Sequence, residues 1–298
     1  MTPAPVTTEP LRIGLVGAGP WASLVHAPMF AGNPRTVLAS VWSRRLEAAE
    51  RAAEPYGATA YESFDRFLEG VDAVSFAVPP DVQAELAVVA ALAGKALLLE
   101  KPLALDLAAA ETLADAVDSA GVPSLLLLTW RYRQDVRALL DTVSSARPIG
   151  GRGHFLTGGF LGGMFATPWR LDRGPLFDLG PHVIDLLDAA LGSVVGIRAH
   201  GDPRRWVGLQ LEHDTGAVSE ASLTGISPVE GARAGVEVHT SDGVLGVDTA
   251  EFDPSVPATV SDEFVDSVTR TGTHPLGVDR GLHLQRLITR AALDLEWA

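Results

Sequence analysis

The apolar run Leu11-Arg12-Ile13-Gly14-Leu15-Val16 passes without a break into Gly17-Ala18-Gly19-Pro20-Trp21-Ala22, and no other stretch restricts the fold as tightly. The run reads as a buried strand, and the small residues that follow suit a strand-turn-helix junction. Gly17 permits the tight turn, Gly19 lets backbone approach a pyrophosphate, and Ala22 lets the next helix lie close to the strand. The helix amino terminus supplies free N–H groups and partial positive charge for phosphates. A chain that opens this way is expected to continue as parallel strands joined by crossover helices.

The following 110 or so residues keep that rhythm. Strands are predicted at 37–42, 73–78, 97–101 and 124–128, and helices at about 46–56, 81–93 and 106–120, with Gly94 and Gly121 closing the last two. Pro79-Pro80 ends the strand at 73–78 because proline cannot continue a ladder. The predicted class is α/β: residues 11–128 form a Rossmann domain with a doubly wound parallel sheet, preceded by a disordered tail at 1–10. In Leu97-Leu98-Leu99-Glu100-Lys101-Pro102 the apolar strand ends in an acid and a lysine, at the edge where open α/β sheets bind ligands. Pro102 keeps Lys101 out of helical geometry.

After the strand at 37–42 stands Ser43-Arg44-Arg45, where a carboxylate for a ribose 2′-hydroxyl would favour NAD. Arginines bind a 2′-phosphate in bidentate fashion. NADP is therefore the preferred cofactor of this reading, with NAD possible. A net charge of −14 argues against nucleic acid and anionic membranes as partners. The absence of cysteine excludes disulfides, zinc-thiolate sites and thiol nucleophiles, and it fits a cytoplasmic setting.

Residues 129–298 are expected to form a second, α/β domain with an open, mainly antiparallel sheet. A helix is predicted at 135–144, residues 150–163 are glycine-rich, and 213–216 and 241–243 read as hairpin loops. A closing helix at 279–297, with Leu282, Leu287, Ile288 and Leu293, is free to pack on either domain. Between them lies Asp178-Leu179-Gly180-Pro181-His182-Val183-Ile184-Asp185. On one helix, with Pro181 in its first turn, spacings of four and seven align Asp178, His182 and Asp185 on one face. His182 suits proton transfer near neutral pH, with a carboxylate to orient it; alternatively Asp178 caps the helix and His182 is a satisfied, half-buried side chain. Two acids and one histidine make a poor zinc site, so no metal is expected. Trp169-Arg170 could line a polar pocket or anchor a loop. His26, His154, His200, His213, His239, His274 and His283 read as structural or solvated.

Taken in order, Gly17 to Ala22, Val78-Pro79-Pro80, Glu100-Lys101-Pro102, Arg131, Trp169-Arg170 and Asp178-x-Gly180-x-His182 resemble the motifs of the Gfo/Idh/MocA oxidoreductases, and the resemblance runs from Leu11 through nearly the whole chain. It implies that Lys101, Asp178 and His182 are catalytic. It places cofactor contacts at Gly17, Gly19, Pro20, Trp21, Ser43, Arg44, Arg45, Pro79, Pro80, Glu100 and Lys101, and substrate contacts at Arg131, Trp169, Arg170, Asp178 and His182. The substrate would be a small molecule, commonly a sugar, polyol or related carbonyl compound, and the second sheet would form homo-oligomer contacts. The expected reaction is hydride transfer between nicotinamide and a secondary alcohol or ketone, with His182 or Lys101 moving the proton. An imine, enone or halide substrate stays open, and the alternative to an enzyme is a catalytically silent dinucleotide-binding regulator or scaffold. Three departures stand out: Gln83 where the family often has histidine, a glycine-rich run reduced to Arg173-Gly174-Pro175, and a sheet that is short after Val247.

Overall fold

Leu97, Leu98 and Leu99 are fully buried, as a strand covered on both faces requires, and each leucine so placed contributes about 1.5–3 kcal/mol relative to exposure. They belong to a parallel sheet described by a computed structural model that covers residues 9–269 and 273–295. Most of the tail assigned to residues 1–10, and the last residues of the closing helix, lie outside the described residues. The chain forms two compact units. The first runs to Leu127 and takes in Ser255–Leu282; the second comprises Leu128–Pro254 and the chain from His283.

In the first unit the strands are β1 (Leu11–Val16), β2 (Thr36–Trp42), β3 (Thr59–Tyr61), β4 (Ala73–Phe76), β5 (Ala96–Leu99) and β6 (Ser124–Leu126). They pair throughout in parallel, in the order β3-β2-β1-β4-β5-β6. The helices are α1 (Ala27–Ala31), entered through a π-turn at Ala22–His26, then α2 (Leu46–Ala53), α3 (Phe64–Glu69), α4 (Pro80–Leu92) and α5 (Leu107–Ala120). Ala22 is fully buried beside Leu15, Leu38 and Val41, the close helix-to-strand approach that a small residue allows. β3 and α3 were not expected from the sequence. Three residues are too few to register as an apolar run, and the predicted helix at 46–56 ends early because Pro55 converts its last turn to a 3₁₀ turn.

The second unit begins with α6 (Gln134–Ser144), β7 (Pro148–Thr157), α7 (Pro168–Asp178) and α8 (Gly180–Leu191). It continues with β8 (Val194–Asp202), β9 (Trp206–His213), β10 (Val218–Thr224), β11 (Ala232–Thr240) and β12 (Gly243–Asp248). The sheet order is β12-β11-β7-β10-β9-β8, antiparallel except between β7 and β10. The glycine-rich stretch is thus a central strand. Its glycines mark close approach: a Cβ at Gly150 would lie 2.6 Å from the Val218 carbonyl oxygen, and one at Gly153 would lie 2.5 Å from a Val183 methyl of α8.

Residues 255–282, expected in the second domain, belong to the first unit instead. They hold α9 (Val256–Thr269) and the start of α10 (Val278–Leu295). Specific bonds keep them there. Asn33 donates to Ser261 Oγ at 2.6 Å, Arg35 pairs with Asp262 and Asp266, and Leu126 N–H donates to the Leu276 carbonyl at 2.7 Å. No helix among the described residues is long and apolar enough to cross a membrane.

One ion pair in the second unit carries a pH prediction. Arg133 grips Asp135 through both oxygens (3.0 and 2.7 Å) and also donates to the carbonyls of Glu251 and Asp248. The guanidinium holds the Asp135 carboxyl below the usual carboxylate range. A folded-state value below the unfolded one means that the stabilisation is present above the unfolded value, about 4, and is lost as pH falls through the folded one. The Tm of Asp135→Asn, followed by circular dichroism from pH 6 downward, is expected to start lower and fall less than wild type, the two curves converging in acid.

Candidate active site

The carboxyl ends of β1 and β4 are adjacent, with chain crossing outward on either side, and such a switch point opens a crevice at that edge of the sheet. Gly17 enters the crevice from β1 with φ +123°, a backbone state reserved for glycine, and donates its N–H to the Trp42 carbonyl at 2.8 Å. A Cβ there would lie 2.4 Å from the Ala77 carbonyl oxygen. At Gly19, by contrast, a Cβ meets nothing within 4 Å, so the turn faces open space. A tight turn with unfilled room in front of its second glycine fits a pyrophosphate. Pro79 and Pro80 begin α4 on the same edge. At the end of β2 the Ser43 hydroxyl donates to the Arg45 carbonyl at 2.7 Å and accepts its N–H, shaping a turn on which Arg44 and Arg45 are exposed.

Glu100-Lys101-Pro102 follows β5, again at the carboxyl edge, with the Lys101–Pro102 peptide cis. Gln83 of α4, fully buried, pairs with this segment as another backbone would. Its Oε1 accepts the Glu100 N–H at 2.8 Å, while its Nε2 donates to the carbonyls of Glu100 (2.8 Å) and Leu103 (3.2 Å). The departure noted at position 83 therefore has a physical role: a primary amide matches both a peptide donor and a peptide acceptor. Glu100 is turned inward. Its Oε1 accepts Trp21 Nε1–H at 2.6 Å and a bond from His26 Nε2 at 3.1 Å, and its Oε2 accepts the Lys101 N–H at 3.2 Å. The Lys101 N–H is thereby bonded to Glu100, and the backbone on either side of it to Gln83. Sequence reading had no signal for the bonds of Gln83, Trp21 and His26, whose partners lie 17 to 79 residues away.

In the second unit the expectation of one helix carrying Asp178, His182 and Asp185 is corrected. Asp178 is the last residue of α7, and α8 starts at Gly180 with Pro181 in its first turn. Leu179 stands at the joint as the N-cap residue of α8, and Asp178 Oδ2 lies 3.0 Å from Arg170 Nε. Residues eight apart sit about 12 Å apart along a straight helix. The kink at Gly174 (φ +71°) breaks α7 between the two and lets the long arginine side chain close the gap. The kink is enforced from outside, since a Cβ at Gly174 would lie 1.8 Å from the Pro203 carbonyl oxygen. Arg170 also donates to Thr167 Oγ1 at 3.1 Å and lies over the Trp169 ring at 4.6 Å.

His182 is buried against Trp130 (ring centroids 5.2 Å apart) and Phe155 (6.2 Å). These two rings, which sequence reading had not singled out, fix the plane of the imidazole. Arg131 Nη1 donates to both oxygens of buried Asp185, at 3.1 and 3.2 Å. The structure thus pairs Arg170 with Asp178 and Arg131 with Asp185, each carboxylate matched to a guanidinium, and sets His182 on α8 against two aromatic rings. His213 bonds Gly192 and Ser219, and His283 bonds Asp188 at 2.8 Å, the structural roles expected of them.

A family model described as an oxidoreductase family with an NAD-binding Rossmann fold matches residues 11–126. The chain is 30% identical over 317 residues to the dTDP-3,4-didehydro-2,6-dideoxy-alpha-D-glucose 3-reductase of Streptomyces violaceoruber, covering 92% of this chain and 90% of that one. It is 27% identical over 268 residues to the D-glucoside 3-dehydrogenase of Escherichia coli (strain K12), covering 82% and 71%. A levoglucosan dehydrogenase solved in complex with NADH has the same fold, with a TM-score of 0.87 at 17% identity over 97% of this chain and 98% of that one. With the match to the family model and a relative 30% identical along 90% of its length, the protein belongs to the Gfo/Idh/MocA family of oxidoreductases.

Proposed function

We propose that this protein is an NAD(P)-dependent oxidoreductase acting on a secondary alcohol or ketone of a sugar, polyol or related compound, with NADP preferred. The relatives named above support a sugar, since each carries a sugar in its name. The observation that carries the reading is the fixed backbone at Lys101, whose N–H bonds Glu100 and whose neighbours Glu100 and Leu103 bond Gln83, on the same sheet edge as the Gly17–Trp21 turn. A surface lysine needs no such fixation. Gly17, Gly19, Pro20 and Trp21 would hold the pyrophosphate, and Ser43, Arg44 and Arg45 the adenosine end. The bound dinucleotide supplies or takes the hydride.

The chain's own residues handle the oxygen. In the oxidation direction a base must remove the hydroxyl proton as the carbonyl forms. His182 takes it, and returns it in reduction. Asp178, held by Arg170, orients His182 or the substrate hydroxyl, while Lys101 donates a hydrogen bond to the reacting oxygen. Arg131, Trp169 and Arg170 contribute to substrate binding. The protein is further proposed to be cytoplasmic and to form a homo-oligomer through its second sheet.

The test is a spectrophotometric screen at the nicotinamide band with sugars, inositols and keto-sugars. Turnover of any of them supports the reading; tight dinucleotide binding with no turnover across the set contradicts it. The cofactor preference has its own test. The guanidinium groups of Arg44 and Arg45 make no ion pair among the described residues and are open to a phosphate. Because a hydrogen bond to a charged group contributes about 1.5–3 kcal/mol, replacing both by alanine is expected to raise the Kd for NADPH at least tenfold and to leave that for NADH within about threefold. Titration calorimetry with both cofactors reads the difference.

A further inference from the structure

In an α-helix, residues five apart point about 140° away from each other. Trp21 and His26 are five apart, yet both reach Glu100 Oε1, at 2.6 and 3.1 Å. The helix between them explains how. Ala22–His26 is a π-turn, closed by a bond from the Ala27 N–H to the Ala22 carbonyl, and an i→i+5 turn sets residues five apart nearly above one another. The extra residue in this turn thus brings an indole N–H and an imidazole N–H to one carboxylate oxygen.

A carboxylate oxygen accepts the bond from Nε2 of His26, while Nδ1 and the Ser75 hydroxyl, which can donate or accept, lie 2.8 Å apart. His26 and Ser75 are both fully buried. The chain of contacts runs from Ser75 on β4, through His26, to Glu100 Oε1, and on from Oε2 to the N–H of Lys101.

We infer that His26 is a positioning residue. With Trp21, and through Glu100, it locks the backbone of Lys101 to the helix that begins at the phosphate turn, so that ordering of this turn by a dinucleotide is transmitted to Lys101. The inference rests on the functional reading of Lys101 given above. It adds a role for the π-turn, for His26 and for Ser75, and it makes Glu100 a coupling group rather than a ligand of the cofactor.

The test uses the full chain and three variants. His26→Phe keeps a ring but removes both bonds; His26→Gln retains an acceptor for Ser75 and a donor for Glu100; Trp21→Phe removes the second donor from a half-buried position. Amide hydrogen exchange is measured without cofactor, followed by kcat and the Kd for NADPH. In His26→Phe the Lys101 amide is expected to exchange at least tenfold faster while amides of β2 keep their rates, and His26→Gln should return to within about threefold of wild type. With an active substrate, kcat should fall at least tenfold in His26→Phe and the NADPH Kd move less than threefold. Unchanged exchange at Lys101 overturns the inference, and so does a general acceleration across the sheet that glutamine fails to rescue. If His26→Phe does not fold, Trp21→Phe decides by the same amide, where faster exchange is expected and an unchanged rate contradicts the lock. Because exchange is read without turnover, failure of the proposed reaction would leave this result standing, and failure of the lock would leave turnover intact.

Discussion

Lys101→Met and His182→Gln are each expected to lower kcat by about 10²–10⁴-fold, the range that proton transfer and its positioning commonly supply. Both variants should fold. Gln83 and Glu100 grip the backbone around Lys101 through bonds that a methionine of similar length leaves in place. Trp130 and Phe155 would still bracket a glutamine at 182. The two variants separate the two roles. If His182 carries the proton, His182→Gln loses the limb of the kcat/KM–pH profile that an ionising base produces, whereas Lys101→Met keeps the shape of the profile at reduced height. The reverse pattern assigns the proton to Lys101. Steady-state kinetics across pH, with dinucleotide Kd measured alongside, provides the comparison, and a kcat unchanged in both variants would remove the assignment altogether.

The second large effect concerns the phosphate turn, where two glycines are expected to behave differently. Gly17→Ala forces a side chain into a glycine-only backbone state and against the Ala77 carbonyl, 2.4 Å from the new carbon. Backbone strain and overpacking together cost about 2–5 kcal/mol, so Tm should drop by several degrees and dinucleotide binding should be lost with it. Gly19→Ala meets nothing within 4 Å. Its Tm should stay within about 2 °C of wild type while NADPH affinity falls at least tenfold, because the methyl occupies the room that the backbone leaves for a pyrophosphate. Thermal melts and calorimetry on the pair distinguish a ligand cradle from a purely structural turn, which would show the stability effect at Gly17 and no affinity effect at Gly19.

The sheet of the first unit and its ligand-binding edge were legible in the sequence because their signals are local. An apolar run, a glycine turn and a proline stop each lie within a few residues, and together they place Gly17, Ser43, Pro79 and Glu100 at strand ends. What makes the candidate site specific was not legible. The bonds from Trp21 and His26 to Glu100 span 79 and 74 residues. His26 was read as one more structural histidine, because the five-residue spacing of its π-turn matches no helical face. In the second unit, Gly150, Gly151 and Gly153 weakened the strand signal of β7 for the very reason that they are needed there, to let neighbouring backbone and α8 approach. The spacing that linked Asp178 and His182 was read on the wrong geometry. One continuous helix was assumed, whereas a break at Leu179 and a kink at Gly174 give Asp178 an arginine partner.

Transfer of a hydride between a nicotinamide dinucleotide and a carbon of a sugar-like substrate, as proposed for this chain, is read most directly by isotope. Purified protein is incubated with keto-sugars and NADPH deuterated at C4 on either face, and the recovered sugars are examined by mass spectrometry. One keto-sugar is expected to gain a single deuterium, bound to carbon, from one of the two labelled cofactors, and to gain none with Lys101→Met on the same timescale. Bound cofactor that delivers no deuterium to any of these compounds would contradict the claim.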